Sequence, residues 1–211
     1  MNRRMLLVSA AAAVVAPSLC GRALAAAGPV DVKAILDDPD APVGGNPDGD
    51  VTIVAFLDYN CPFCKKATPA LARLVAEDRG VRLVYKDWPI LAESSVDGAR
   101  MALAAKYQGQ YEQAHAALMA LPGRNSRERM AEAIRKAGVD MPRLEADLKT
   151  HDSEISALIV RNRDEADSLG LEGTPVFLIG PFKVAATLDH DGFKRAVDQA
   201  RARQNGAAPA Q

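Results

Sequence analysis

Apolar residues run almost unbroken from Val51 to Leu57, in the order Val-Thr-Ile-Val-Ala-Phe-Leu. A short β-branched run of this kind predicts a buried central strand, ending near Tyr59. From Cys61 the period changes. Phe63, Ala67, Leu71, Leu74 and Val75 recur at helical spacing, and Gly80 stands where a C-terminal cap is expected. Residues 81–88 (Val-Arg-Leu-Val-Tyr-Lys-Asp-Trp) read as a second strand, stopped by Pro89. Strand, helix and strand follow one another within about forty residues, the signature of a parallel pair joined by a crossover helix.

Residues 93–169 then carry helical periodicity almost throughout, with joints at Gly109, Pro122-Gly123, Gly138 and Pro142. Met101, Met119 and Met130 lie in this block, expected mostly as core and in part as lining for a peptide groove above Cys61. A short apolar strand over 173–180 enters through Gly173-Thr174-Pro175, residues 183–187 are placed to pair with it, and 189–203 form a last helix. The layout is a core of 51–88 and 170–203, interrupted by a helical insertion over 89–169. Residues 28–50, rich in Pro, Gly and Asp, read as an irregular entry segment, and 204–211 as a disordered tail.

Length and composition fit one well-buried domain with an inserted subdomain: 211 residues, 48% hydrophobic and 25% charged. The net charge of −1, and basic residues over 124–135 that alternate with Glu128 and Glu132, argue against a nucleic-acid surface. The N-terminus changes the picture. Its first thirty residues hold no Asp or Glu, and Arg3-Arg4, an apolar run and Ala23-Leu24-Ala25 form the three parts of a secretory signal peptide, assigned to residues 1–27. The apolar run is too short for a membrane span. Leu19 directly before Cys20 argues against lipidation, and the arginine pair leaves the Sec and twin-arginine routes both open. Cleavage removes Cys20 with Arg3, Arg4 and Arg22, leaving 23 basic residues against 27 acidic ones and only Cys61 and Cys64. A lone close pair admits three readings: a redox centre, half of a metal clasp, or a small staple.

Cys61-Pro62-Phe63-Cys64 stands at the junction of the first strand and its helix, Pro69 lies eight residues after Cys61 inside that helix, and Gly173-Thr174-Pro175 opens a late strand. In this order the motifs resemble the DsbA family of exported thiol-disulfide oxidoreductases. The stretches 35–64, 84–91 and 173–180 are most similar to its ScsC/Com1-like branch, and the resemblance spans roughly residues 35–200. It implies an α/β, thioredoxin-like fold (β-α-β, then β-β-α) with an inserted all-helical subdomain, a periplasmic location and no cofactor. It further implies a redox-active Cys61–Cys64 disulfide, beside a substrate-binding loop of Gly173, Thr174 and Pro175 whose Thr174-Pro175 bond is cis. The implied partners are exported cysteine-containing proteins and a DsbB-like or DsbD-like membrane protein that resets the pair.

Placement of Cys61 at a first helical turn points unpaired N–H groups and the positive dipole end at its sulfur, which favours the thiolate. Pro62 suits that turn. Cys61 is therefore expected to be the exposed attacking cysteine, and Cys64, one turn further in, the buried resolving one. Pro62 and Phe63 add no charge or donor toward the sulfur, so a less oxidising centre is expected than in relatives with Pro-His. One departure stands out: Ala55 occupies the place of the buried glutamate by which relatives help move the resolving proton. Lys86 and Asp87 are substitute candidates, with a surface ion pair as the alternative. Structural zinc needs more ligands than one pair, and His115, His151 and His190 are scattered. A Cu(I) module using the same two thiolates is the alternative function. A staple closing so short a loop removes little unfolded-state entropy. The short segment before the first strand leaves no room for a dimerisation domain or trimerising arm, so a monomer is expected.

Overall fold

The structure, a computed structural model, describes residues 30–206. The signal peptide expected over 1–27 and the end of the expected tail lie outside the described residues. The elements in chain order are α1 (Val32–Leu36), β1 (Val43–Gly45), β2 (Val51–Leu57), α2 (Pro62–Glu77) and β3 (Val81–Asp87). Five helices follow: α3 (Glu93–Lys106), α4 (Tyr111–Met119), α5 (Arg127–Lys136), α6 (Met141–Thr150) and α7 (Asp152–Ser168). β4 (Val176–Ile179), β5 (Phe182–Val184) and α8 (His190–Gln204) complete the chain.

The five strands make one sheet in the order β1-β3-β2-β4-β5. β2 and β3 run parallel, from Val51 beside Val81 to Leu57 beside Asp87. β4 lies antiparallel on the other side of β2, with Phe56 beside Val176. Both faces of β2 are covered, which explains its unbroken apolar run. On one face Ile53, Ala55 and Leu57 pack with Leu71 and Leu74 of α2 and with Phe193 and Val197 of α8. On the other, Val54 and Phe56 pack with Ile35 of α1, Ala166 of α7 and Trp88. The helical block grows from the first face through α4, with Met101, Met119 and Met130 all buried. Its joints at Gly109, Gly123 and Gly138 take φ values of 69°, 66° and 91°, a region that only glycine enters freely.

Three expectations need correction. The described part of the segment expected to be irregular, residues 30–50, carries regular elements: Asp31 caps α1, and Val43–Gly45 extends the sheet antiparallel to β3. A three-residue strand among Pro and Gly leaves too little periodicity to read. Gly80 is not a left-handed helix cap. Asp78 ends α2, and Gly80 leaves room for the Arg201 guanidinium, which pairs with both Asp50 and Asp78.

The third correction concerns Lys86 and Asp87, which form no surface ion pair. They point to opposite faces of β3, and both are buried. Lys86 Nζ lies 2.7 Å from Asp38 and 2.7 Å from Glu165, and Arg161 adds a second cation at 2.9 Å from Asp38. Burial pushes the Asp38 carboxyl up, but hydrogen bonds from Arg161 and Lys86 outweigh it and hold the group at about 2. Replacing Lys86 by Met is expected to lower stability by about 3 kcal/mol, because Glu165 loses its cation and buried Asp38 keeps only Arg161. A urea unfolding curve measures this, and an unchanged midpoint would contradict it.

Candidate active site

The turn between β2 and α2 is built around one carboxylate. Asp58 accepts hydrogen bonds from the backbone N–H groups of Asn60 (2.6 Å), Ile90 (2.8 Å) and Leu91 (3.0 Å) and from the Ser95 hydroxyl (2.8 Å). The Asn60 side chain donates to Ser94 and Ser95 and accepts from the N–H of Asn125. The loop into α3, the start of α3 and the loop between α4 and α5 are thereby tied to Asp58 and Asn60, just before Cys61, and the turn has little freedom to shift.

Cys61 caps α2. Its sulfur accepts from the N–H of Cys64 at 3.3 Å, and Pro62 occupies the first turn, where a missing N–H costs nothing. From the far side of the chain, the Thr174-Pro175 bond is cis and the Thr174 carbonyl accepts from the Cys61 thiol at 3.2 Å. The two cysteines are unjoined thiols. Cys61 was expected to be exposed, yet it is 2% exposed and Cys64 is 0%. The difference between them is electrostatic. The Cys64 thiol, opposed by burial but joined by Thr174 and the N–H groups of Cys64 and Phe63, holds the Cys61 thiol down to about 6. Burial first, and the Cys61 sulfur second, push the Cys64 thiol far above its ordinary range. Thr174 favours the thiolate of both, and its buried hydroxyl has no hydrogen-bond partner among the described residues.

Phe63 was placed on the apolar stripe of α2, but Cys64 takes that position and Phe63 is 59% exposed. It borders an open cavity of about 370 Å³ with Gly173, Thr174, Pro175 and Lys183. The expected substrate-loop residues therefore gather on one side of the cysteines. Met119 lines a separate groove of about 520 Å³ with Pro62, Lys65 and Leu121, on the other flank of α2. Ala55 is fully buried in the layer that holds both cysteines, between Tyr85 and Phe177 in register. The histidines stay apart. His115 meets Tyr59, His151 stacks on Tyr107 with ring centroids 3.6 Å apart, and His190 pairs with Glu77 at 2.8 Å. Among the described residues, no three His, Cys, Asp or Glu side chains converge to hold a metal ion.

A family model described as thioredoxin matches residues 37–199. The chain belongs to the thioredoxin family. A thioredoxin-like oxidoreductase from Silicibacter pomeroyi is 40% identical, with a TM-score of 0.76 over 84% of this chain and 99% of that one. The thiol-disulfide exchange protein alpha-DsbA2 from Wolbachia pipientis is 27% identical, with a TM-score of 0.75 over 79% and 90% of the two chains. The catalytic domain of Proteus mirabilis ScsC, 23% identical over 81% of this chain and 94% of that one, shares the fold at a TM-score of 0.73. Within the thioredoxin superfamily the chain is DsbA-like. Curated relatives include the Na(+)/H(+) antiporter NhaA 3 of Salinispora tropica, 30% identical over 85% of this chain. The chain spans only 29% of that protein's length, so the match concerns a thioredoxin-like segment of a longer protein.

As a thioredoxin-family fold, the chain sets its two cysteines where strand meets helix, as the motif spacing suggested. Sequence reasoning missed Asp58 and Asn60. Their signal was an Asp-x-Asn placed directly before the cysteine, a pattern that favours side chain-to-backbone turns. The lowered Cys61 value has a consequence for stability. Between about pH 6 and the ordinary thiol value near 9, the unfolded chain binds more protons at Cys61 than the folded chain does. Stability of the dithiol form contributed by Cys61 is thus present above pH 9 and is lost as pH falls through 6. The melting temperature of reduced protein minus that of a Cys61→Ser variant is expected to climb across this window. A flat difference would contradict the thiolate assignment.

Proposed function

We propose that the protein is an exported, periplasmic thiol-disulfide oxidoreductase in which Cys61 attacks and Cys64 resolves. The single observation that carries this reading is the unequal pair: one thiol lowered to about 6, its neighbour raised, at a helix start facing the Thr174 carbonyl. The Cys61 thiolate attacks a substrate disulfide, forming a Cys61–substrate bond and releasing one substrate thiolate. Cys64 then attacks the Cys61 sulfur, the second substrate thiolate leaves, and the protein carries the Cys61–Cys64 disulfide. Run backward, the same steps oxidise a substrate dithiol. Potential and partner set the direction.

Gly173, Thr174 and Pro175 border the cavity next to Phe63, which supports them as the substrate-binding loop. Pro62 and Phe63 tune the pair by leaving its surroundings free of added charge. The substrates in this reading are exported cysteine-containing proteins, met by a monomer that needs no cofactor, and a membrane protein, quinone-linked or thiol-reducing, resets the cysteines. The solved periplasmic thioredoxin-like protein of Salmonella enterica, 29% identical at a TM-score of 0.68, supports the location.

Equilibration with glutathione buffers, read as the alkylated mass of the pair, is expected to show cooperative two-electron oxidation of Cys61 and Cys64. A Cys64→Ala variant is expected to accumulate a mixed disulfide, and a Cys61→Ala variant to lose exchange. Exchange that survives in Cys61→Ala, or tight Cu(I) binding by a wild-type protein that exchanges no disulfides, would overturn the reading.

A further inference from the structure

A substrate cysteine held at Cys61 has chain leading away from it in two directions, and the Thr174 loop borders only one flank of α2. The other flank carries a longer feature. The groove of about 520 Å³ at Pro62, Lys65 and Met119 shares Thr68, Ala72 and Ala116 with a second cavity of about 450 Å³. The two are one groove between α2 and α4, and it has no lining residue in common with the cavity at Thr174. It starts beside Cys61 at Pro62 and reaches Ala76 and Arg79 at the far end of α2. At about 1.5 Å per helical residue, Pro62 to Ala76 covers about 20 Å, the length of about six residues of extended chain.

We propose that this groove holds an extended segment of the substrate protein that continues from its reacting cysteine and carries acidic residues next to it. The proposal rests on the exchange reading above. The substrate disulfide then lies over Cys61 with its chain held on both flanks, by the Thr174 loop on one side and by the groove on the other.

The shape suits a polypeptide. Both helices turn small side chains toward the groove, Ala72 and Ala76 from α2, Ala116 and Ala120 from α4, while Met119 and Leu121 add apolar wall near the cysteines. Charge selects the segment. Lys65 and Lys66 line the entrance, and Arg129 of α5 lies near Lys65. Arg73, Arg127 and Arg135 pair with Glu77, Asp97 and Glu132. Lys65 instead donates to the Gly123 carbonyl, and neither it nor Lys66 nor Arg129 reaches a carboxylate within ion-pair distance among the described residues. The acidic groups acting on Lys65 are Asp58 and the two thiols, all buried, so the exposed rim beside Cys61 is cationic. A rim of one sign raises the rate at which the opposite charge arrives.

A buried polar atom in the far half points to a ligand independently. His115 is 4% exposed and its ring lines the groove with Tyr85, Glu112 and Asn46. Its Nδ1 meets the Tyr59 hydroxyl at 3.0 Å, and its Nε2 has no hydrogen-bond partner among the described residues. Leaving such an atom unpaired is costly. An extended peptide offers both N–H and carbonyl groups, so its backbone satisfies either tautomer of the ring.

Peptides of this length, each with a central cysteine activated as a 2-pyridyl disulfide, test the groove. Attack of the Cys61 thiolate on the peptide sulfur forms the Cys61–peptide disulfide and expels chromogenic thiopyridone, which carries away the bonding pair. N-acetyl-cysteine amide activated in the same way is the reference, too small to enter the groove. A peptide with Glu on both sides of its cysteine is expected to react about 10-fold faster than one with Lys there, the gap narrowing as salt is raised. Lys66→Glu, at an exposed side chain, is expected to invert that order. Ala116→Trp, which fills the groove, is expected to lower the ratio of peptide rate to reference rate by about 10-fold. Lys66→Glu decides the matter if Ala116→Trp fails to fold. A folded Lys66→Glu variant with the wild-type charge order, or a folded Ala116→Trp variant with the wild-type ratio, would overturn the groove while leaving the exchange reading intact. A wild-type dimer that Ala116→Trp dissociates would overturn it too, because the occupant would be a second copy of this chain. A wild-type protein that releases no thiopyridone even from the reference would overturn the exchange reading, and the groove with it.

Discussion

Everything at the site depends on two distant pieces of backbone meeting at one sulfur. The first turn of α2 presents the Cys64 N–H to Cys61, and the Thr174 carbonyl, 113 residues later, receives the thiol from the other side. The sheet register makes this meeting possible. β4 lies antiparallel to β2 with Val176 beside Phe56, so Thr174-Pro175 arrives where β2 turns into the cysteine loop. A slip of one residue would send Phe177 and Ile179 to the face packed around Ile35 and Trp88, and Val176 and Leu178 to the face packed against α2 and α8, so the core enforces the register and the register positions the loop. Asp58 then fixes the turn on the β2 side by tying it to the loop that leads into α3.

The sequence made the order of elements legible because its strongest signals were local. An apolar run, a helical stripe and a proline stop are read within one segment, and β2, α2 and β3 fall within a residue or two of their expected limits. The Gly joints of the helical block were visible for the same reason. β1 was hidden, because three residues carry no period and its place at the sheet edge is set by pairing with β3. Phe63 was misplaced by one position on its helix. A cysteine is among the most buried residue types, so Cys64 took the core position and left the ring outside.

The site itself was half legible. Cys61, Cys64 and the Thr174-Pro175 loop follow from motif order, but the physical basis of their inequality does not. The inequality comes from N–H groups of the motif itself, which the helix start announces, and from burial and the Thr174 loop, which no local pattern records. The charged pair in β3 illustrates the limit. Lys86 and Asp87 are adjacent in sequence and admit two readings there, substitutes for the glutamate replaced by Ala55 or a surface ion pair. The alternation of a strand covered on both sides sends them into separate buried clusters, one with Asp38 and Glu165, the other with Tyr59 and Tyr111. The loss of a carboxyl at Ala55 thus sits in a layer that still contains an acid, two residues along the neighbouring strand from the Ala55–Tyr85 pair.

The central claim is that two neighbouring thiols differ in the stability of their thiolates, with hydrogen bonds favouring that of Cys61 and burial opposing that of Cys64. Alkylation of the reduced protein by iodoacetamide, followed by peptide mass spectrometry over a range of pH, reads each cysteine separately. Cys61 is expected to react with a midpoint near pH 6, while Cys64 stays unmodified through the ordinary thiol range. Equal reaction of both cysteines, each with a midpoint near 9, would contradict it.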